Sequence, residues 1–123
     1  MAAPPVGPDP VVAITSSGLE FRGARACADC DGIATWLRLE ADGKTQRYRM
    51  VEEYFGADGA RRFEDEGDWI ARNELLRLRS REGGERVYAR LADGRLQSRG
   101  ARGQLLPAAI DDVMIPVTFD SAH

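Results

Sequence analysis

Two cysteines are the residues in this chain whose type and spacing most directly suggest chemistry. Cys27 and Cys30 are the only cysteines among 123 residues, and Asp31-Gly32 follows them directly. Their spacing of three either closes a small disulfide or presents two sulfur atoms to one metal ion. Asp-Gly favours the tight turn that both arrangements need. The segment is therefore the first place to look for function.

Four interpretations of the cysteine pair are open. A purely structural disulfide would pin a loop and stabilise the fold by about 1–2 kcal/mol. Two thiolates would instead bind copper as Cu(I), a soft ion that accepts two sulfur ligands. A thiol–disulfide oxidoreductase is disfavoured, because Asp29 and Asp31 oppose the reactive thiolate and no helix pattern follows Cys30. The fourth interpretation is a labile disulfide that serves as a redox sensor.

Other side chains are weaker candidates for binding. Met50 is a further candidate metal ligand beside the cysteines, since a thioether suits soft metals. A standard zinc site is not expected, because His123 is the single histidine. Trp69, Tyr48 and Tyr54 are candidates for stacking against a small ligand, although large side chains in a barrel usually fill its core.

Composition narrows the function classes. The chain has 17 basic and 20 acidic residues, mixed along its length, and 43% apolar residues. No basic run is present, so nucleic acid is not an expected partner, and no apolar stretch approaches the length of a membrane span. The scattered carboxylates are expected on solvated faces, so no enzymatic activity is predicted. Residues 1–15, rich in proline, are expected to be a disordered leader, and residues 16–123 a single domain.

Period-two alternation predicts the elements that must position these residues. Ile33 to Leu39 alternate apolar and polar side chains, and Asp42-Gly43 marks a hairpin turn. Similar runs recur about every ten residues, with Asp-Gly or Gly-Gly between them. This rhythm predicts an all-β fold of about eight strands, arranged as an antiparallel meander or barrel.

Some details of this pattern leave alternatives. Residues 70–78 fit either a short helix or a turn and strand, and residues 108–112 suggest one helical turn. The last strand, predicted over residues 113–119, contains Pro116, which predicts an edge or bulged strand. If Glu52 faces the interior, it needs a cationic partner, for which Arg38 and Arg90 are candidates.

The region around the cysteines resembles the start of the N-terminal domain of the NlpE family, which are bacterial copper-resistance lipoproteins also implicated in envelope-stress sensing. The motif is Phe21-x-Gly23-x-x-Ala26-Cys27-Ala28-Asp29-Cys30-x-Gly32-Ile33-x-Thr35-x-Leu37-x-Leu39. Downstream, the resemblance continues through Asp42-Gly43, Tyr48, Glu53-Tyr54, Phe63, Glu66-Gly67-x-Trp69, Leu76-x-Leu78, Tyr88 and Leu96.

This resemblance implies a small antiparallel up-and-down β-barrel, lipocalin-like, in the periplasm or at the outer membrane. It further implies copper resistance or envelope-stress and redox sensing through Cys27 and Cys30, with copper as the cofactor and an envelope protein as partner. Membrane attachment would come only from a lipid anchor upstream. The alternative function is a carrier of a small apolar ligand, in which the disulfide is merely structural.

Overall fold

The computed structural model describes residues 16–117, which form one closed antiparallel barrel in which each strand pairs with its sequence neighbours and β1 also pairs with β8. The eight strands are β1 (Ser16–Arg25), β2 (Gly32–Asp42), β3 (Thr45–Gly56), β4 (Gly59–Arg72), β5 (Leu75–Ser80), β6 (Glu85–Arg90), β7 (Leu96–Arg99) and β8 (Val113–Val117). This confirms the predicted fold class. The expected leader, residues 1–15, lies outside the described residues, as does His123.

Alternation along β2 and β3 builds the core, as the sequence pattern predicts. On β2, buried positions alternate with partly exposed ones from Ile33 to Leu39, and on β3 Tyr48, Met50 and Glu52 are buried. Leu37 and Leu78 are fully buried at the centre of the apolar cluster. Successive side chains of a strand point to opposite faces, so one face of each strand fills the barrel. No helix in the described part of the chain is long and apolar enough to cross a bilayer.

β4 is longer than its neighbour β5, and Gly67 is the residue at which pairing with β5 begins. β3 and β4 pair from the tight turn at Gly56 and Gly59 as far as Asp68. β5 joins β4 only from Gly67 onward. A Cβ atom at Gly67 would overlap the carbonyl oxygen of Arg79 and touch the ring of Tyr48, so a glycine is required for this close approach.

The segment from 70 to 78 forms a turn and strand rather than a helix. Arg72 pairs with Leu75 across a two-residue turn, and both central residues, Asn73 and Glu74, have positive φ angles of 54° and 65°. These values are typical of a type I′ turn, whose twist matches that of the flanking strands. The single helical turn predicted further on is present as a 3₁₀ turn at Pro107–Ala109.

The prediction that Pro116 marks an edge or bulged strand is wrong, since the β1–β8 register runs through Pro116 without interruption. β8 lies between β1 and β7 and closes the barrel, with Pro116 opposite Phe21 of β1. The ladder with β7 includes only Val113 and Met114. Pro116 therefore lies beyond the last β7 pair, where a residue without an N–H group leaves no β7 carbonyl unpaired. Phe119, the predicted end of this strand, lies outside the described residues.

The barrel has two ends that differ in their connections. The loop end carries the segment between β1 and β2, the β3–β4 turn, the β5–β6 loop and the long β7–β8 connection. The terminal end carries the turns at 43–44, 73–74 and 91–95, together with the start of β1 and the end of β8. Cys27 and Cys30 lie at the loop end.

Candidate functional site

The cysteine loop, residues 26–31, is held at both of its ends by the barrel. Cys27 and Cys30 form a disulfide, with Cα atoms 5.2 Å apart, which is within the usual range for a disulfide. Both cysteines are half-buried. The backbone N–H of Asp31 donates a hydrogen bond to the carbonyl oxygen of Phe55 on β3, at 2.6 Å. The loop is thus a short bridged segment at the rim of the barrel.

A buried carboxylate lies beneath this loop. Glu52 is 5% exposed, and its two oxygens accept hydrogen bonds from Arg25 at 3.0 Å and from Arg86 at 3.2 Å. The hydroxyl of Thr35 donates to the same carboxylate at 3.4 Å. Burial lowers the pKa of Arg86, but Glu52, Tyr88 and Asp65 together more than offset this, so the Arg86 pKa is raised. Arg25 is two residues from Cys27 and therefore ties the loop directly to the barrel interior.

The two arginines expected from the sequence to pair with Glu52 do not do so, and that prediction is wrong. Arg38 has the opposite parity to the buried residues of β2 and lies on the outer face, where it bonds Glu20 at 2.8 Å and Glu40 at 2.9 Å. Arg90 lies at the terminal end, whereas Glu52 lies toward the loop end. The actual partners come from the end of β1 and the start of β6.

A second polar group lies on the same side of the interior. The hydroxyl of Tyr48 donates to Asp65 at 2.7 Å, and Ser80 donates to the other Asp65 oxygen at 2.6 Å. Burial raises the pKa of Tyr48, and the hydrogen bond to the carboxylate raises it further. A cleft of about 490 Å³ opens beside these residues and reaches Arg86. The loop end of the interior is therefore polar and fully hydrogen-bonded.

The structure separates Met50 from the cysteines and does not gather the aromatic candidates at one place. Met50 is 1% exposed in the core and pairs with Leu37, four residues along β2 from Ile33, or roughly 13 Å at the usual strand rise. Tyr54 packs edge-on against Phe63, with ring centroids 5.3 Å apart, at the loop end. The three aromatic candidates therefore do not form one site.

Trp69 lies at the other end of the barrel. Its ring packs against the core, and its Nε1 donates to the carbonyl oxygen of Glu40 at 3.0 Å. Beside it the described residues form an apolar pocket of about 540 Å³, which includes Phe21, Leu39 and Leu76. This pocket and the cysteine loop are on opposite ends of the barrel.

The cysteine loop is a chemically suitable donor set for a soft metal once the disulfide is reduced. Two thiolates three residues apart suit Cu(I), whereas zinc prefers four ligands. Within residues 16–117, no group of three or more histidine, cysteine or acidic side chains is placed to hold a metal. The side chains that fit copper are therefore Cys27 and Cys30, with exposed Asp29 and Asp31 supplying negative charge nearby.

Sequence reasoning identified Glu52 but missed its network. The signal that could have found Arg86 is its position two residues before Tyr88 in a period-two run, which gives the two side chains the same face. Asp65 has the same parity as Gly67 and Trp69 on β4, which also predicts an inward carboxylate. Inward charged residues on three strands near one barrel end indicate a polar network there.

These features define a class: a small closed β-barrel module whose CxxC loop is bridged by a disulfide and joined to a buried carboxylate. Residues 21–108, more than half of the chain, match the NlpE N-terminal domain. The chain therefore belongs to the NlpE N-terminal domain family, which confirms the resemblance noted in the sequence.

Two relatives show the extent of the similarity. The chain is 36% identical over 74 residues to lipoprotein NlpE of Escherichia coli K12, covering 59% of this chain and 30% of that protein. The crystal structure of the Cpx pathway activator NlpE from Escherichia coli superposes with a TM-score of 0.62 at 29% identity, over 85% of this chain and 51% of the other. The chain thus spans about half or less of the length of these relatives.

Proposed function

We propose that this barrel is a non-enzymatic sensing module of the bacterial envelope, and that its cysteine loop responds to copper or to redox state. The observation that carries the proposal is the half-buried disulfide at the barrel rim, joined through Arg25 to buried Glu52. Membership of the NlpE family and the description of one relative as a Cpx pathway activator support a role in envelope-stress signalling.

The loop geometry suits a reversible change. A dithiol reductant breaks the Cys27–Cys30 bond, leaves two thiols on the loop and is itself oxidised to a disulfide. The loop closes over few residues, so opening it changes the free energy of unfolding only modestly. Arg25 and Asp31 remain bonded to Glu52 and Phe55 and keep the two strand ends in place. Reduction would therefore alter the rim while the barrel persists.

Copper is the metal that the reduced loop fits. Cys27 and Cys30 would hold it through two thiolates, which would supply a soft, two-sulfur bridge in place of the disulfide. Asp29 and Asp31 are exposed beside the cysteines and favour a cation electrostatically. Met50 stays in the core, so the proposed site uses the two cysteines alone.

The partner of such a module would be another envelope protein that contacts the rim of the barrel. A periplasmic or outer-membrane location follows from the family, and attachment to the membrane would come from a lipid anchor upstream of this sequence. The exposed loop residues Ala28 and Asp29 are the part of the rim that a partner would reach first.

A Cu(I) titration of the reduced chain against a competing chelator, without oxygen, tests this function. We expect one tightly held copper per chain in the wild type and none in the Cys27→Ser/Cys30→Ser double variant. Met50→Leu is the matched control, since it removes a sulfur from the core and should leave copper binding unchanged. Absence of competition by the wild type would contradict the copper role.

A second candidate function is transport of a small apolar ligand, which the pocket beside Trp69 favours. The pocket has a volume of about 540 Å³, near the lower part of the range for small-molecule sites. Ala71→Trp would fill it from an exposed position on β4, and Ala57→Trp, at the opposite end, is the control. Binding of a fluorescent apolar probe should be lost only in Ala71→Trp. Equal binding by all three proteins would contradict this function.

A further inference from the structure

The first half of β4 has an open edge. β3 covers one side of β4 along residues 59–68, but β5 pairs with the other side only from Gly67 onward. Just before this ladder begins, the carbonyl oxygen of Glu66 accepts a hydrogen bond from the N–H of Arg81, at 2.9 Å. Among the residues that the structure describes, positions 60–65 therefore have no backbone partner on this side.

The pairing pattern fixes which backbone groups are presented there. Gly56 and Gly59 flank a two-residue turn and so form a hydrogen-bonded pair. Because hydrogen-bonded and non-hydrogen-bonded pairs alternate, odd-numbered residues of β4 direct their N–H and C=O groups toward β3. Ala60, Arg62 and Glu64 direct theirs to the open edge. The bond from Arg81 to even-numbered Glu66 agrees with this assignment.

The side chains along this edge are charge-complementary about one residue. Arg61 and Arg62 precede Phe63, and Glu64 and Asp65 follow it. We propose that β4 pairs antiparallel with the same segment of a second copy of this chain, across a two-fold axis at Phe63. In that register Arg62 lies opposite Glu64 of the second copy. Arg61 lies opposite Asp65, whose carboxylate also keeps its bonds to Tyr48 and Ser80. Opposite charges in such cross-strand positions stabilise a sheet.

This register is selected over its neighbours. In an antiparallel pair, the residues that direct their backbone groups to the shared edge must face each other. The two-fold axis can therefore lie only at a residue, such as Arg62, Phe63 or Glu64, and not between two residues. An axis at Arg62 would place two arginines opposite each other, and an axis at Glu64 would place two glutamates opposite each other. Like charges directly opposite are destabilising. Only the axis at Phe63 pairs every flanking charge with its opposite.

Exposure of the edge residues supports an isologous contact. The side chain of Phe63 is 54% exposed although its ring packs against Tyr54, and a second Phe63 across the axis would cover it. Arg62 and Glu64 contact each other at 3.1 Å, and both side chains are more than half exposed. Each could exchange this solvent-exposed contact for the opposite charge on a partner strand. An open strand edge is a ready template for pairing with another chain.

Sedimentation velocity over micromolar to millimolar chain concentrations tests the proposal, since a small interface is weak. We expect a monomer–dimer equilibrium in the wild type. Arg62→Glu and Glu64→Arg each create two like-charge pairs and should weaken dimerisation by at least about tenfold. The double variant Arg62→Glu/Glu64→Arg restores opposite charges and should restore the dimer. A monomeric wild type, or a dimer that both single variants leave unchanged, would overturn the proposal.

Cross-linking gives a second readout of the register. Opposed residues in a non-hydrogen-bonded antiparallel pair have Cα atoms about 4.5 Å apart, within disulfide reach. In the Cys27→Ser/Cys30→Ser background, Phe63→Cys should form a covalent dimer with oxidised glutathione. Arg61→Cys is the control, because its two copies would lie about 13 Å apart along the strands. Cross-linking of Arg61→Cys but not Phe63→Cys would rule out this register.

Discussion

The two ends of the barrel interior are built from different chemistry. From its centre toward the terminal end the interior is apolar, with Leu37 and Leu78 fully buried in the central cluster. Toward the loop end it is polar, with Glu52 bonded to Arg25 and Arg86. The difference indicates that folding and the proposed sensing role depend on different parts of the barrel. Apolar burial supplies the stability, and the polar end anchors the disulfide loop without depending on it.

Removing apolar volume from the central cluster should have the largest effect on stability. Leu37→Ala deletes a side chain with no exposed surface and should lower the free energy of unfolding by about 2–5 kcal/mol. Ile115→Ala, at a position 58% exposed, is the control and should change it by less than about 0.5 kcal/mol. Urea denaturation measures both. Equal losses would mean that the apolar half does not dominate stability.

Changing the buried carboxylate should have a smaller effect. Glu52→Gln keeps the shape but leaves one arginine imperfectly paired, which should cost about 1–3 kcal/mol. The cost stays below that of a fully buried ion pair because the side chains of Arg25 and Arg86 are 29% and 42% exposed and can rehydrate. Urea denaturation checks this, with surface variant Glu64→Gln as control. No loss in Glu52→Gln would show that the polar network is dispensable.

Removing the disulfide should cost less again. Cys27→Ser/Cys30→Ser opens a loop of sequence separation three, so the chain-entropy relation predicts a loss of at most about 2 kcal/mol. The circular dichroism spectrum should keep its β signature. Thermal unfolding of the variant, beside wild type with and without reductant, measures the loss. Unfolding of the barrel in this variant would contradict the claim that the fold does not depend on the disulfide.

The smallest expected effect is a loss of stability in alkali. The pKa of Tyr48 is raised in the folded protein, above an unfolded value near 10, so the folded state keeps a proton that the unfolded chain releases. The contribution is complete below about pH 10 and is lost as pH rises toward the folded pKa, by up to about 1.4 kcal/mol per pH unit. Tyr48→Phe should reduce this slope in urea titrations at pH 9–11. An unchanged slope would mean that a group other than Tyr48 causes the loss of stability in alkali.

The sequence predicted the barrel well because its signals are local. Alternation put Tyr48, Met50 and Glu52 on one face of a strand, which the structure buries, and Asp-Gly dipeptides marked several turns. The sequence prediction failed for contacts that depend on how the barrel closes. The partners of Glu52 come from strands distant in sequence, and Pro116 is accommodated only because the β7 ladder ends early. Such facts depend on strand lengths and register, which local periodicity does not contain.

The candidate site was predicted in part, for the same reason. The spacing of Cys27 and Cys30 and the following Asp-Gly turn identified the loop from neighbouring residues alone. Met50 was added by residue type, and the structure places it in the core, away from the sulfurs. Its position follows from the pairing of β3 with β2, which residue type does not reveal.

Amide hydrogen exchange of the oxidised, reduced and Cu(I)-treated chain tests most directly the claim that the loop changes state on a persistent barrel. Exchange should differ at residues 26–30, whereas the Asp31 amide, which stays bonded to Phe55, should keep its protection. Protection around Leu37 and Leu78 should be the same in all three states. Identical exchange at the loop in every state, or loss of core protection on reduction, would contradict the account.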